Sequence, residues 1–78
     1  MKGWDEKFKI ARLPDVWQKI TGETIARQAK YSKYDNGILF IRTNSSTWRT
    51  ELMLRKEKFI EQINEILGKD FVRDIIIR

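Results

Sequence analysis

Three changes of hydrophobic period organise this chain. From Leu13, the apolar positions Val16, Trp17 and Ile20 follow at helical spacing. The stripe stumbles at Thr21-Gly22 and resumes on a shifted face with Ile25 and Ala29, which predicts a helix broken or kinked near Gly22. From Ala29 the period shortens to strand alternation. Asn36-Gly37 is the preferred pair for a two-residue type I′ turn, because both central positions need positive φ. An unbroken register from that turn sets Asp35 opposite Ile38, Tyr34 opposite Leu39, Lys33 opposite Phe40, Ser32 opposite Ile41 and Tyr31 opposite Arg42. One face of the hairpin then holds Tyr34, Leu39, Ser32 and Ile41; the other holds Tyr31, Lys33, Ile38, Phe40 and Arg42.

A helical period returns after Asn44-Ser45-Ser46-Thr47, a run of candidate N-caps. Trp48, Leu52, Phe59, Ile63, Ile66 and Leu67 share one apolar sector, interrupted by Arg55 and Lys56. There the helix bends, or the two cations lay their stems along the core and keep their charges in water. Gly68 is the expected stop. Phe71 to Ile77 reads as a third strand, with Ile75 and Ile77 on one face and Ile76 and Arg78 on the other. The order is helix, strand, strand, helix, strand. A three-stranded sheet with helices on one face buries both helical stripes, so the expected class is α+β.

Pro14 suits the first turn of a helix and disfavours a helical residue before it, so a new element is expected at Leu13 or Pro14. The reading is therefore a separate N-terminal segment, residues 1–12, with a short helix, and a single domain over residues 13–78. Trp17 and Trp48 lie on apolar stripes and are read as core anchors. Trp4, four residues before Phe8, is read as a staple for the N-terminal turn or as part of a partner contact.

Composition removes more functions than it suggests. The 78 residues contain neither cysteine nor histidine. That excludes disulfides, Cys-based zinc sites, and the usual general base and nucleophile pairs. No cluster of carboxylates stands out as a metal site, so neither an enzyme nor a cofactor is expected. No apolar run approaches the roughly 20 residues needed to cross a bilayer. The start, Met1 to Lys7, has no apolar segment of the signal-peptide kind, and a cytoplasmic location is the expectation.

Charge points the other way, toward a partner. Sixteen Lys and Arg against eleven Asp and Glu give a formal net charge of +5 and a pI near 9.8, as expected of a protein that meets a polyanion. On the hairpin face turned away from the helices, Tyr31, Lys33, Phe40 and Arg42 interleave rings with cations. Single-stranded DNA or RNA is bound by that combination, bases stacking on rings while Lys and Arg meet phosphates. The same face has two other readings. Tyr31 and Phe40 are then a cross-strand packing pair, or Ile38, Phe40 and Ile76 form an apolar patch for a protein partner or a homodimer through the open sheet face. A second candidate path for an anion runs along Arg49 and Lys56 beside the helix start at Ser45-Ser46-Thr47. Its competing reading is a solvated basic helix face balanced by Glu51, Glu57 and Glu61.

Several of these residues, in this order and spacing, resemble the DciA family. They are Trp17; Gly22 and Ile25-Ala26; Gly37, Leu39 and Ile41; Ser45-Ser46 and Trp48; Glu51-Leu52; Ile63-Asn64; Leu67-Gly68; and Val72 with Ile75-Ile76-Ile77-Arg78. The resemblance spans residues 13–78. It implies a KH-like two-layer sandwich, a role in bacterial DNA replication, contact with a DnaB-type replicative helicase, and nucleic-acid binding. Without cysteine, the zinc-ribbon attribute of some relatives does not carry over. Nor does backbone clamping on a Gly-x-x-Gly loop, because Gly22-Glu23-Thr24-Ile25 ends in Ile. These residues also contain no counterpart of the tail of longer members, a departure that bears on helicase loading by this chain alone.

Overall fold

The computed structural model describes residues 2–78, with side chains from residue 5 onward; the Trp4 side chain lies outside the described residues. In chain order the elements are α1 (Lys2–Thr21), α2 (Glu23–Gln28), β1 (Ala29–Asp35), β2 (Ile38–Thr43), α3 (Ser46–Leu54), α4 (Lys56–Leu67) and β3 (Asp74–Ile77). The expected order holds, with each helical region divided in two. The sheet runs β1-β2-β3. β1 is antiparallel to β2, and β3 lies parallel to β2 on its other side.

One apolar cluster joins the two layers. Leu39, Ile41, Ile75 and Ile77 supply it from the sheet; Leu13, Val16, Trp17, Leu52, Phe59, Ile63 and Leu67 supply it from the helices. Trp17 is its anchor. Its indole is 1% exposed and meets the Phe59 ring edge-on, with centroids 5.4 Å apart. Its Nε1 donates to the Ala29 carbonyl at 2.8 Å, which satisfies a buried donor and ties α1 to the first residue of β1. Trp48, by contrast, is only half-buried and outside this cluster.

Helix α1 does not begin at Leu13 or Pro14; it runs unbroken from Lys2 to Thr21 with Pro14 inside it. Proline removes the bond to the carbonyl four residues earlier, at a cost of about 3 kcal/mol or more. Burial of Leu13, Val16 and Trp17 on the same helix offsets it, at roughly 1.5–3 kcal/mol for each large apolar side chain. The predicted break at Gly22 is present: φ is +91°, and the α1 ladder ends with Gly22 N–H donating to the Gln18 carbonyl.

The second helical region bends. Arg55 (φ −104°, ψ 8°) separates α3 from α4. Its side chain is exposed beside Glu51, while Leu54, next to the joint, is 79% exposed. Ser45, among the four candidates, is the N-cap of α3, its hydroxyl accepting from Trp48 N–H at 3.1 Å. At the far end Gly68, φ +119°, stops α4. Asn64 then grips the returning chain at both polar groups of Val72: Nδ2 donates to its carbonyl and Oδ1 accepts from its N–H, each at 2.9 Å. That clamp delivers Asp74–Ile77 to the edge of β2.

Candidate nucleic-acid interface

The hairpin turns where expected, with φ of +47° at Asn36 and +87° at Gly37. For three steps the register also follows expectation: Asp35 with Ile38, Tyr34 with Leu39, Lys33 with Phe40. Then β1 carries one extra residue. Ser32 is bulged out, and the pairs continue as Tyr31 with Ile41, Lys30 with Arg42 and Ala29 with Thr43. This corrects the unbroken register. Continued without the bulge, alternation would turn Ser32 and Lys30 toward the helices, and an unpaired ammonium cannot be desolvated there cheaply. The bulge buries Ala29 and half-buries Tyr31 instead, and Lys30 goes to water.

Tyr31 is therefore not on the open face. It packs against the core cluster, and burial pushes its phenol above the ordinary value of 10.0. Lys33, Phe40 and Arg42 do lie together on the open face, joined by Lys30 across from Arg42 and by Arg78, which continues β3. Arg78 is held by backbone bonds, its N–H donating to Ile41 and its carbonyl accepting from Thr43. The Phe40 ring has Lys33 Nζ 4.8 Å from its centroid and the Arg78 guanidinium 5.2 Å away. The quadrupole of the ring holds two cations in place.

Two adjoining grooves meet at Arg42, Thr43 and Asn44. One contains Lys33, Phe40 and Arg78; the other contains Arg27, Gln28, Lys30 and Ser45. No Asp or Glu side chain lines either groove. The acids of the hairpin stand at its other end, where Asp35 and Asp74 flank Ile38. Charge on the sheet is thus sorted along the strands.

The other two candidates are engaged elsewhere. The half-buried Arg49 donates from Nη2 to the Thr43 carbonyl at 3.2 Å, bracing the end of β2. Lys56 pairs with Asp74 at 3.0 Å; its hydrogen bond is the leading reason the Asp74 carboxyl sits below its ordinary range. The two cations have separate partners: Arg49 braces the end of β2, and Lys56 pairs at the start of β3. Lys30, Arg27 and Arg78 join the grooves although the sequence reading did not select them. Arg78 was already on the open face by alternation, and Lys30 was discoverable by asking which way an unbroken strand would point it.

Near the turn, Tyr34 stacks on Phe71 with centroids 4.7 Å apart and donates to its carbonyl at 2.7 Å. Arg73 crosses over Gly37 and donates to the Asn36 carbonyl. A third groove there mixes Asp5, Glu6 and Asp70 with Lys9 and Arg73, so it presents no single sign of charge.

Comparison with known proteins adds the family. The family described as "Dna[CI] antecedent, DciA" matches residues 1–77. The chain belongs to the DciA family. Among similar proteins is a UPF0232 protein of Streptomyces avermitilis, 28% identical over 74 residues, which cover 92% of this chain and 41% of the relative. A UPF0232 protein of Mycobacterium tuberculosis is 25% identical over 76 residues, 97% of this chain and 41% of the relative. One of Bifidobacterium longum is 33% identical over 49 residues, 63% of this chain and 31% of the relative. The chain thus spans about two fifths of the length of the first two. Many of the residues that carry the DciA resemblance have structural tasks in this fold: Trp17 anchors, Gly22 and Gly68 stop helices, Gly37 turns, Ser45 caps and Asn64 clamps. Of the described helices, none is long and apolar enough to cross a membrane.

Proposed function

We propose that the chain is a nucleic-acid-binding accessory domain of bacterial DNA replication, acting beside a DnaB-type replicative helicase and binding a single strand on the open face of its sheet. Its task on this reading is binding, with no chemical step. One observation carries it: Lys33 and Arg78 flank the Phe40 ring, and Arg42 joins their groove to a second one holding Lys30, with no Asp or Glu side chain lining either. Phosphates meet the cations, and a base lies against the ring. The DciA membership supports the setting in replication.

Titration of a labelled single-stranded oligonucleotide by fluorescence anisotropy tests it. Each lost phosphate contact lowers the slope of log K against log salt by about 0.7 for single strands. Binding that weakens steeply with salt is expected, and is lost in the pair Phe40→Ala with Arg42→Ala. Absence of binding at low salt, or binding indifferent to that pair, refutes the reading. A second reading, docking on the helicase or another protein without touching nucleic acid, is favoured by Phe40 and Ile76. They are register partners, both half-buried, on the same face. A helicase complex that survives Lys33→Glu with Arg42→Glu, by a chain that binds no oligonucleotide, selects it.

A further inference from the structure

The bulge leaves a like-charge pair in the sheet. Lys30 and Arg42 are direct register partners on β1 and β2, a position where like charges destabilise an antiparallel pair. Neither is in an ion pair among the described residues. Arg27 reaches the same groove from α2; its guanidinium is 3.2 Å from Glu23, with both side chains largely exposed. Cations from three elements therefore converge on a hollow that also offers the amides of Gln28 and Asn44. A fold that keeps two unneutralised cations face to face has a site that an external anion completes.

We infer that this groove, between α2, β1 and the loop after β2, seats a backbone phosphate of a bound single strand, held by Lys30 and Arg42 with Arg27 at its rim. The inference rests on the proposed function and extends it: the strand does not end at Phe40 but continues past Arg42 into the second groove. The ligand is the phosphodiester itself, so DNA and RNA are bound alike there. Arg42 belongs to both grooves and links the two positions.

Anisotropy titrations of an eight-residue oligothymidylate and an eight-residue oligouridylate test this, with the parent chain, Lys30→Ala and Arg27→Ala. Lys30→Ala is expected to weaken both oligomers several-fold at low salt and to lower the salt slope by about 0.7, one phosphate contact. Arg27→Ala, on an exposed side chain that leaves the sheet intact, gives a smaller loss in the same direction, because Glu23 already offsets that charge. Circular dichroism shows whether each variant is folded. Parent-like affinity and slope in both variants, with a parent that binds, removes the groove from the path and leaves the Phe40 position standing. A loss confined to one of the two oligomers also overturns it, since the phosphate is common to both. A parent that binds neither oligomer ends the proposed function and this inference together.

Discussion

The two halves of the hairpin obey different forces. At the tip, Asp35 to Ile38 are set by backbone conformation: two residues at positive φ close a tight turn, and Arg73 covers the glycine. At the base, Ala29 to Tyr31 against Ile41 to Thr43, the turn no longer decides. The base is set by what the helical layer accepts, and it accepts Ala29 and Tyr31 in preference to Lys30 and Ser32. Ser32 absorbs the mismatch between the two. The difference teaches that local geometry fixes a register only until the cost of desolvating the wrong side chain exceeds the cost of an irregular ladder. The proposed binding site lies at the base, because the same step that spares the core a lysine sets Lys30 across from Arg42.

The tip gives the largest effect on stability. Gly37→Ala forces a side chain into a left-handed conformation, which costs roughly 1–2 kcal/mol. It also drives a Cβ into the Arg73 guanidinium. A drop of at least that size is expected in chemical denaturation, with oligonucleotide affinity at the base unchanged once the chain is folded. An equal loss of affinity would deny that the halves are separable.

The base is sharpened by tyrosine titration. The chain has two tyrosines, so Tyr34→Phe isolates Tyr31. Burial raises its folded value above 10.0. Below pH 10 the phenol is neutral in both states and its full contribution to stability is present. As pH rises past 10 the unfolded chain ionises first, and stability falls until the folded value is passed. Phenolate absorbance should therefore rise above pH 10 and later than in the unfolded chain. Deleting Ser32 should leave that late titration in place, because the bulged residue pairs with nothing and its removal makes the observed register continuous. A Tyr31 that titrates at its ordinary value with Ser32 in place would restore the unbroken register.

Much of this fold could be read from the chain, for physical reasons that differ by element. Leu39, Ile41, Ile75 and Ile77 alternate cleanly because one sheet face is buried. Asn36-Gly37, Gly22 and Gly68 announce themselves because few residues adopt positive φ. The arrest at Arg55-Lys56 was visible as an interruption in the stripe. Pro14 misled, since its local cost is outweighed by distant packing of Leu13, Val16 and Trp17. The bulge left no mark at Ser32 itself; its signal was Lys30, one position beyond the hairpin faces, which end at Tyr31. Lys33, Phe40 and Arg42 were legible as neighbours because they lie on the tip side of the bulge or on the regular strand β2. Tyr31 was misplaced, and Lys30 overlooked, for one and the same reason.

The most direct test of the account compares Lys30→Glu with Tyr31→Leu in single-strand binding at fixed low salt. Lys30→Glu turns a repulsive cross-strand pair into an attractive one, so the fold should hold or gain about 0.2–1 kcal/mol while affinity falls by an order of magnitude or more. Tyr31→Leu should keep parent-like affinity, because the ring faces the helices. Loss of binding in Tyr31→Leu, with Lys30→Glu binding like the parent, would contradict the account.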